Sequence, residues 1–359
     1  MNYEGKMVSH NKYGVGIITK QEKDSITIRF NNTYEERTFG FPRCLGNSVQ
    51  ILDDREVLLS VWEEHGFEGF HHYTDFKNFI QIMREKKLYS RGKAQEKGLL
   101  LTDAAENSVI AKTENFVKNM VRFYYKEDTP TLYRNEGIRH GDDFNRDEYS
   151  AHMPIPVLLL FEKELIFEPN IYISNGGCGS GHTKRTNKCE EALSYDWDEI
   201  FKRGPYGNVP YEVHKEIKNK RNAEFLFPEA ISIDRLNAIV FRCEADKKHA
   251  EFILGENNLF QVNPNKFTTQ MNESRKRNYL CDYQIRKGTL KVYVQFSLFK
   301  SQKDYKHTII MYYNDSTKKE FPLPDMNLDS NKFIFEYHDS NEIRQVEYLL
   351  NDEVSAIWR

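Results

Sequence analysis

The chain has 359 residues, 29% of them charged, and a formal net charge of −3. It is long for one compact domain, so two or three are expected, and the balanced charge excludes a globally basic nucleic-acid binder: any such contact must come from a local patch. No window approaches the roughly 18 apolar residues of a membrane span, and Met1-Asn2-Tyr3-Glu4 carries no secretory pattern, so a soluble, cytoplasmic protein with no membrane partner is expected.

The 24 Phe and 21 Tyr supply core volume and stacking faces. The five cysteines, Cys44, Cys178, Cys189, Cys243 and Cys281, are odd in number and scattered, which points to free thiols in a reducing compartment. His182 stands between Cys178 and Cys189, but the spacing fits no zinc pattern and no metal is expected.

Residues 7–52 alternate short apolar segments with Gly, Asn and charged turns: Gly14-Val15-Gly16-Ile17-Ile18, then Ser25-Ile26-Thr27-Ile28-Arg29-Phe30, then Arg37-Thr38-Phe39. The pattern predicts a small all-β barrel over 1–55, with Gly14 and Gly16 at tight bends. It resembles the SH3-like or Tudor-like modules appended to DNA helicases and transcription-coupling proteins, which implies recruitment and not chemistry. Asp53 to Glu68 reads as a charged, helix-compatible connector.

A strand then ends in His72-Tyr73-Thr74, and a helix begins with Thr74 or Asp75 as N-cap and Phe76, Phe79, Ile80 and Met83 on one face. His72 thus lies at a strand-to-helix junction, where side chains and helix N–H groups converge. Ala104 to Met120 reads as a second helix, Val121 to Lys126 as an aromatic strand, and Thr131 to Arg134 as a helix start after Asp128-Thr129-Pro130. Asp142 to Tyr149 is a polar loop, and Pro156 to Phe161 is apolar enough for a central strand.

Four glycines in six residues, Gly176 to Gly181, suggest a phosphate cradle, but His182 stands where a P-loop needs Lys. The run reads instead as a mobile loop at a site's edge, its basic tail Lys184-Arg185 open to phosphates. Tyr195 to Phe201 and Val213 to Lys220 are helices, the second leading into Arg221-Asn222-Ala223-Glu224-Phe225-Leu226-Phe227-Pro228. Here a carboxylate, Glu224, opens an apolar β-like run; it must be paired, hydrogen-bonded or raised in pKa, or else point to water from a strand edge. The basic run Arg275-Lys276-Arg277 is either a solvated linker or a backbone contact for nucleic acid. Strands at Leu290–Phe296, His307–Tyr313, Lys332–Tyr337 and Arg344–Leu350 predict a small β-sandwich over 285–359.

Taken in order, His72-Tyr73-Thr74 with Asn78, the Phe123-Tyr124-Tyr125 strand, Thr129-Pro130-Thr131-Leu132-Tyr133, Asp196-Trp197 and Arg221 to Leu226 resemble the DarT-type ADP-ribosyltransferases. These are toxins of bacterial toxin–antitoxin systems that use NAD to modify bases of single-stranded DNA. The resemblance implies an α+β fold: an ADP-ribosyltransferase-like mixed β core with helices over 60–280, flanked by the N-terminal barrel and the C-terminal sandwich. It implies that Glu224 is the catalytic carboxylate, beside an oxocarbenium-like carbon. His72, assisting it, and Thr74 would hold the NAD ribose and amide; Tyr73 and Asn78 would line the same half, and Tyr124 and Tyr125 would supply stacking faces. Tyr133, His182, Lys184, Arg185 and Arg221 would face the nucleic acid, DNA favoured and RNA open.

The family's phosphate-contacting Arg precedes the aromatic strand, and here no Arg lies between Arg91 and Arg122. Either Arg91 or Lys112 fills the role, or NAD binding differs, or the enzyme is weakened. A macrodomain-type antitoxin or a neutralising protein is the implied partner. A catalytically silent binding module and transfer to a protein side chain are the competing readings.

Overall fold

Inward alternation of Val8, Ile18, Ile26, Ile28, Phe30 and Val49 builds the first sheet. In the computed structural model, which describes residues 2–103, 107–139, 151–179, 183–267, 277–286, 290–297, 305–323, 332–337 and 343–358, five antiparallel strands lie in the order β4-β3-β2-β1-β5. They are β1 (Met7–His10), β2 (Gly14–Gln21), β3 (Ser25–Phe30), β4 (Glu36–Gly40) and β5 (Val49–Ile51). A Cβ on Gly16 would lie 2.7 Å from the Arg29 carbonyl oxygen, so glycine is what lets β2 and β3 meet there. Among the described residues β4 and β5 do not pair: the sheet is open where a closed barrel was expected. Helix α1 (Asp54–Glu64) follows, started by a capping box between Asp53 and Glu56.

The middle of the chain forms an eight-stranded mixed sheet, β11-β10-β12-β8-β6-β9-β14-β15. In chain order its surroundings are β6 (Phe70–Asp75), α2 (Phe76–Glu85), β7 (Lys87–Tyr89), α3 (Arg91–Glu96), α4 (Asn107–Lys112), α5 (Asn115–Lys118), β8 (Met120–Tyr124), α6 (Pro130–Asn135) and β9 (Pro156–Phe161). Then come β10 (Tyr172–Ser174), β11 (Arg185–Thr186), α7 (Cys189–Ala192), α8 (Trp197–Phe201), α9 (Tyr211–Lys220), β12 (Glu224–Pro228), β13 (Ala230–Ser232), β14 (Leu236–Phe241), α10 (Glu244–Leu254) and β15 (Phe260–Val262).

Alternation splits the sheet's side chains between two layers. Phe70, Phe123, Phe161, Phe225 and Phe241 enter the main core with Trp62 and Trp197. Tyr73, Tyr124, Leu158, Leu160, Ala238 and Val240 pack on the other face, under Leu132, Met153 and Phe267. The central place of β9, between β6 and β14, agrees with its apolar sequence.

Asp75 caps α2 by accepting from Lys77 N, and Phe76 stacks on His249 of α10 with ring centroids 4.2 Å apart. The single helix expected over 104–120 is instead α4 and α5, with Met120 already in β8. The helical bonding runs to Thr113, whose N–H and hydroxyl (2.7 Å) both donate to the Val109 carbonyl, and the break comes at Glu114, which leaves the helical region and stands as N-cap of α5. Residues 104–106, the loop expected at 142–149 and basic Arg275 and Lys276 lie outside the described residues.

Two further antiparallel sheets end the chain, β16-β17-β20 and β19-β18-β21-β22: β16 (Tyr279–Arg286), β17 (Leu290–Ser297), β18 (His307–Tyr313), β19 (Lys318–Pro322), β20 (Lys332–Tyr337), β21 (Ile343–Leu350) and β22 (Glu353–Trp358). This region starts before residue 285, because β16 is already paired from Tyr279. Its core is shared with the preceding unit: Ile138, Cys243 and Ala245 pack in one cluster with Tyr279, Met311, Tyr348 and Trp358. Lys77 pairs with Glu353 at 2.7 Å and Lys248 with Asp282 at 2.6 Å across the same junction. Among the described residues no helix is long and apolar enough to cross a membrane.

His249 is 5% exposed, its Nδ1 has no hydrogen-bond partner among the described residues, and burial pushes its pKa down to about 3. The unfolded chain takes up this proton near pH 6.5 while the folded chain does not, so stability falls as pH drops below 6.5, by about 2 kcal/mol at pH 5 for this group. His249→Phe, which keeps the stack on Phe76, is expected to flatten the loss of stability between pH 7 and pH 5 in urea unfolding.

Candidate active site

The mixed sheet is joined unevenly. Strand β6 pairs with β9 through six residues but with β8 through His71 and Tyr124 alone. Beyond that bridge β6 and β8 form no further pair among the described residues, an opening in the hydrogen-bond ladder beside which His72 and Thr74 lie. Tyr124 is also the partner of Glu224 on β12, so Glu224, Tyr124 and His71 form one row across three strands.

Glu224 is 2% exposed, and a charge so buried needs partners. Arg122, two residues before Tyr124 and on the same face, supplies them: its Nε donates to Oε2 (2.9 Å) and its Nη2 to Oε1 (2.6 Å). The Cys178 backbone N–H also donates to Oε2, at 3.2 Å. The backbone of Glu224 is fixed in turn, because its N–H donates to Ser174 Oγ (2.8 Å) and its carbonyl accepts from Tyr125 Oη (3.0 Å).

The described part of the glycine-rich run, 176–179, is closely packed. A Cβ on Gly176 would meet Asn219 Nδ2 at 2.3 Å, one on Gly177 would meet Asn222 Cβ at 3.2 Å, and one on Gly179 would meet Val109 at 2.5 Å. Residues 176–179 thread between α9 and α4 because Gly176, Gly177 and Gly179 lack side chains, and this brings the Cys178 amide onto Glu224. The Ser174 hydroxyl, buried, closes the turn by donating to the Gly176 carbonyl at 2.6 Å.

Burial alone lowers the pKa of Arg122, and the adjoining Glu224 carboxylate outweighs it, holding the guanidinium above its ordinary value. Tyr124 is pushed up to about 12 by burial and by Glu224, and the Cys178 thiol is raised for the same two reasons. Both stay protonated at neutral pH. Burial lowers His72, against its Nδ1 contact with the Arg122 carbonyl at 3.0 Å. Among the described residues no cluster of three or more His, Cys, Asp or Glu is placed to hold a metal.

The residues singled out by sequence divide sharply. Glu224, His72, Thr74 and Tyr124 lie at or beside the opening, and Tyr73 packs behind it with its hydroxyl on the Lys266 carbonyl. Asn78 holds the following loop, accepting from Leu101 N and Thr102 N and donating to the Thr102 carbonyl. Arg91 makes a bidentate pair with Asp103 (2.7 and 2.5 Å), whereas Lys112 is exposed on α4. Tyr125, expected as a stacking face, is 1% exposed and packed between Trp62 and Trp197.

Arg221, expected to meet nucleic acid, is buried in a pair with Glu199 and a bond to the Gly204 carbonyl, out of reach of a strand. Arg185 pairs with Glu114 beside Phe116, Lys184 is exposed, Tyr133 is half-buried on α6, and His182 lies outside the described residues. Sequence reasoning missed Arg122, Ser174 and the Cys178 amide. The signal that could have found Arg122 is the lone charge inside an otherwise aromatic strand, which needs an opposite charge nearby.

Residues 71–268, more than half of the chain, match a family model described as DarT: ssDNA thymidine ADP-ribosyltransferase. No curated protein matches the chain. Among solved structures, Thermus sp. 2.9 DarT in complex with NAD+ is 17% identical with a TM-score of 0.42, covering 55% of this chain and 96% of that one. The same protein in complex with ADP-ribosylated ssDNA gives 17%, 0.44, 55% and 95%. Thermosipho africanus DarTG in complex with ADP-ribose gives 14%, 0.43, 61% and 53%.

Ser174→Ala removes the acceptor of the Glu224 N–H and is expected to cost about 1–3 kcal/mol of stability, read as a lower urea midpoint. Cys178→Ala keeps the backbone amide that touches Glu224 and is expected to leave any activity of the site within about threefold of wild type, about 0.7 kcal/mol.

Proposed function

The chain belongs to the DarT family of ssDNA thymidine ADP-ribosyltransferases, enzymes that use NAD as co-substrate, and we propose that it transfers ADP-ribose to the thymine of single-stranded DNA with Glu224 as the catalytic carboxylate. The observation that carries this reading is the buried Glu224, gripped by Arg122 on the row with Tyr124 and His71, next to the break in β6–β8 pairing and within the matched segment. NAD supplies the ADP-ribosyl group, the electron pair of its broken C1′–N bond staying on the departing nicotinamide.

Glu224 lies on this reading beside the ribose, accepts a hydrogen bond from its hydroxyl and offers negative charge where positive charge develops at C1′. It also takes the proton that the attacking thymine nitrogen loses. His72 and Thr74 hold the ribose and amide, with Tyr73 and Asn78 supporting their segment, and Tyr124, kept protonated, lines the same wall. Arg91 is taken by Asp103, so Lys112 is the proposed point charge for the diphosphate, without the two-pronged grip of an Arg. Tyr133, Lys184 and Arg185 are the proposed contacts to the strand. The fit of the residues to NAD rests on the opening lined by His72 and Thr74 and on a carboxylate fixed beside it.

The same reading makes the protein a cytoplasmic toxin, restrained by a macrodomain-type or neutralising partner, with the N-terminal sheet as a recruiting module. Incubation with labelled NAD and oligonucleotides is expected to label thymine-containing single-stranded DNA, and Glu224→Gln to lower labelling by at least about 100-fold. No labelling of any oligonucleotide by wild type, or equal labelling by Glu224→Gln, would sink the proposal. Label on RNA or on protein alone would replace DNA as the substrate. Expression without a partner is expected to arrest growth for wild type and not for Glu224→Gln.

A further inference from the structure

A carboxylate offers about four acceptor positions. On Glu224, Oε2 is filled by Arg122 Nε and the Cys178 N–H, and Oε1 has one position taken by Arg122 Nη2. Among the described residues these bonds leave one acceptor position, on Oε1. The grip comes from the neighbouring strand: Arg122 lies opposite Leu226, diagonal to Glu224, and its side chain is 29% exposed against 2% for Glu224. The arginine thus reaches the carboxylate from the more open side of the site.

We propose that Arg122 is the positioning residue of the transfer: by holding both oxygens it fixes the plane of the Glu224 carboxylate and leaves Oε1 alone to meet the substrate. The inference rests on Glu224 being the catalytic carboxylate. Stability alone does not explain the pair, since well-packed apolar residues generally replace a buried ion pair at no cost. Nor does neutralisation alone explain it, since a lysine would bring the same charge. What the guanidinium adds is a rigid fork that matches both carboxylate oxygens. The backbone supports the same orientation independently, because the threaded glycine run delivers the Cys178 N–H to Oε2 while Ser174 anchors the Glu224 main chain.

Arg122→Lys tests this, because it keeps the charge and loses the fork; Arg122→Gln, which risks the fold by stranding a buried charge, is the second variant. For Arg122→Lys the expected result is a fall in kcat of about 10- to 100-fold, with KM for NAD and the calorimetric Kd for NAD each within about threefold of wild type. Arg122→Gln, where folded, is expected to fall at least as far. Wild-type kcat in Arg122→Lys overturns the inference. So does a raised Kd and KM with kcat kept, which would make Arg122 a ligand of NAD, and so does a gain in kcat, which would make the pair a lock. A wild type that labels no oligonucleotide overturns the proposed function and this inference together, whereas an active wild type with unchanged kcat in Arg122→Lys overturns the inference alone.

Discussion

The burial of one carboxylate beside an arginine constrains the rest of the site. Glu224 cannot sit at 2% exposure without a counter-charge and donors, and each partner recruits another part of the chain. Arg122 brings β8, Cys178 brings the glycine run, and Ser174 brings β10. Two stretches far from it and from each other in sequence, β8 and residues 174–178, thereby meet at one residue. Their geometry is set by backbone and buried groups, which is how an active site keeps a group within a fraction of an ångström of its working position.

The mixed sheet supplies the complementary element, an opening. A fully paired sheet has an unbroken ladder, and this one is joined at its middle by the His71–Tyr124 bridge alone. The aromatic layer behind it, from Phe70 through Phe123 to Phe225, and the Trp62–Tyr125–Trp197 group keep the two halves in register despite that thin backbone connection. Packing therefore does the work that hydrogen bonds give up, and the gap is affordable only because the core beneath it is dense and aromatic.

Much of this was legible in the sequence where the signal is local. The β6–α2 junction followed from a capping Asp75 and helical spacing of Phe76, Phe79 and Ile80, and Glu224 stood out as a charge opening an apolar run. What stayed hidden is non-local. That Arg122 faces Glu224 depends on β8 being the neighbour of β12 and on a two-residue diagonal in their register, neither of which periodicity encodes. Tyr125 and Arg221 carried side chains suited to a ligand, but the fold used one as core and the other as a brace for Gly204. The division of α4 from α5 falls at the backbone of Glu114, a residue that helix propensity does not mark as a break. The first sheet showed its strands by alternation, whereas its openness depended on which edges meet.

The match to the family ends at residue 268, yet the cluster containing Cys243 and Ala245 is completed by strands that begin at Tyr279. Arg242, buried with Glu136 and Asp246 beneath the Tyr279 ring, belongs to the same shared region. In evolutionary terms the terminal sheets have ceased to be a passenger. A lineage that dropped them would bare the apolar face of Ile138, Cys243 and Ala245 and uncover the Arg242 cluster to water, so the appendage shares in the stability of the unit before it.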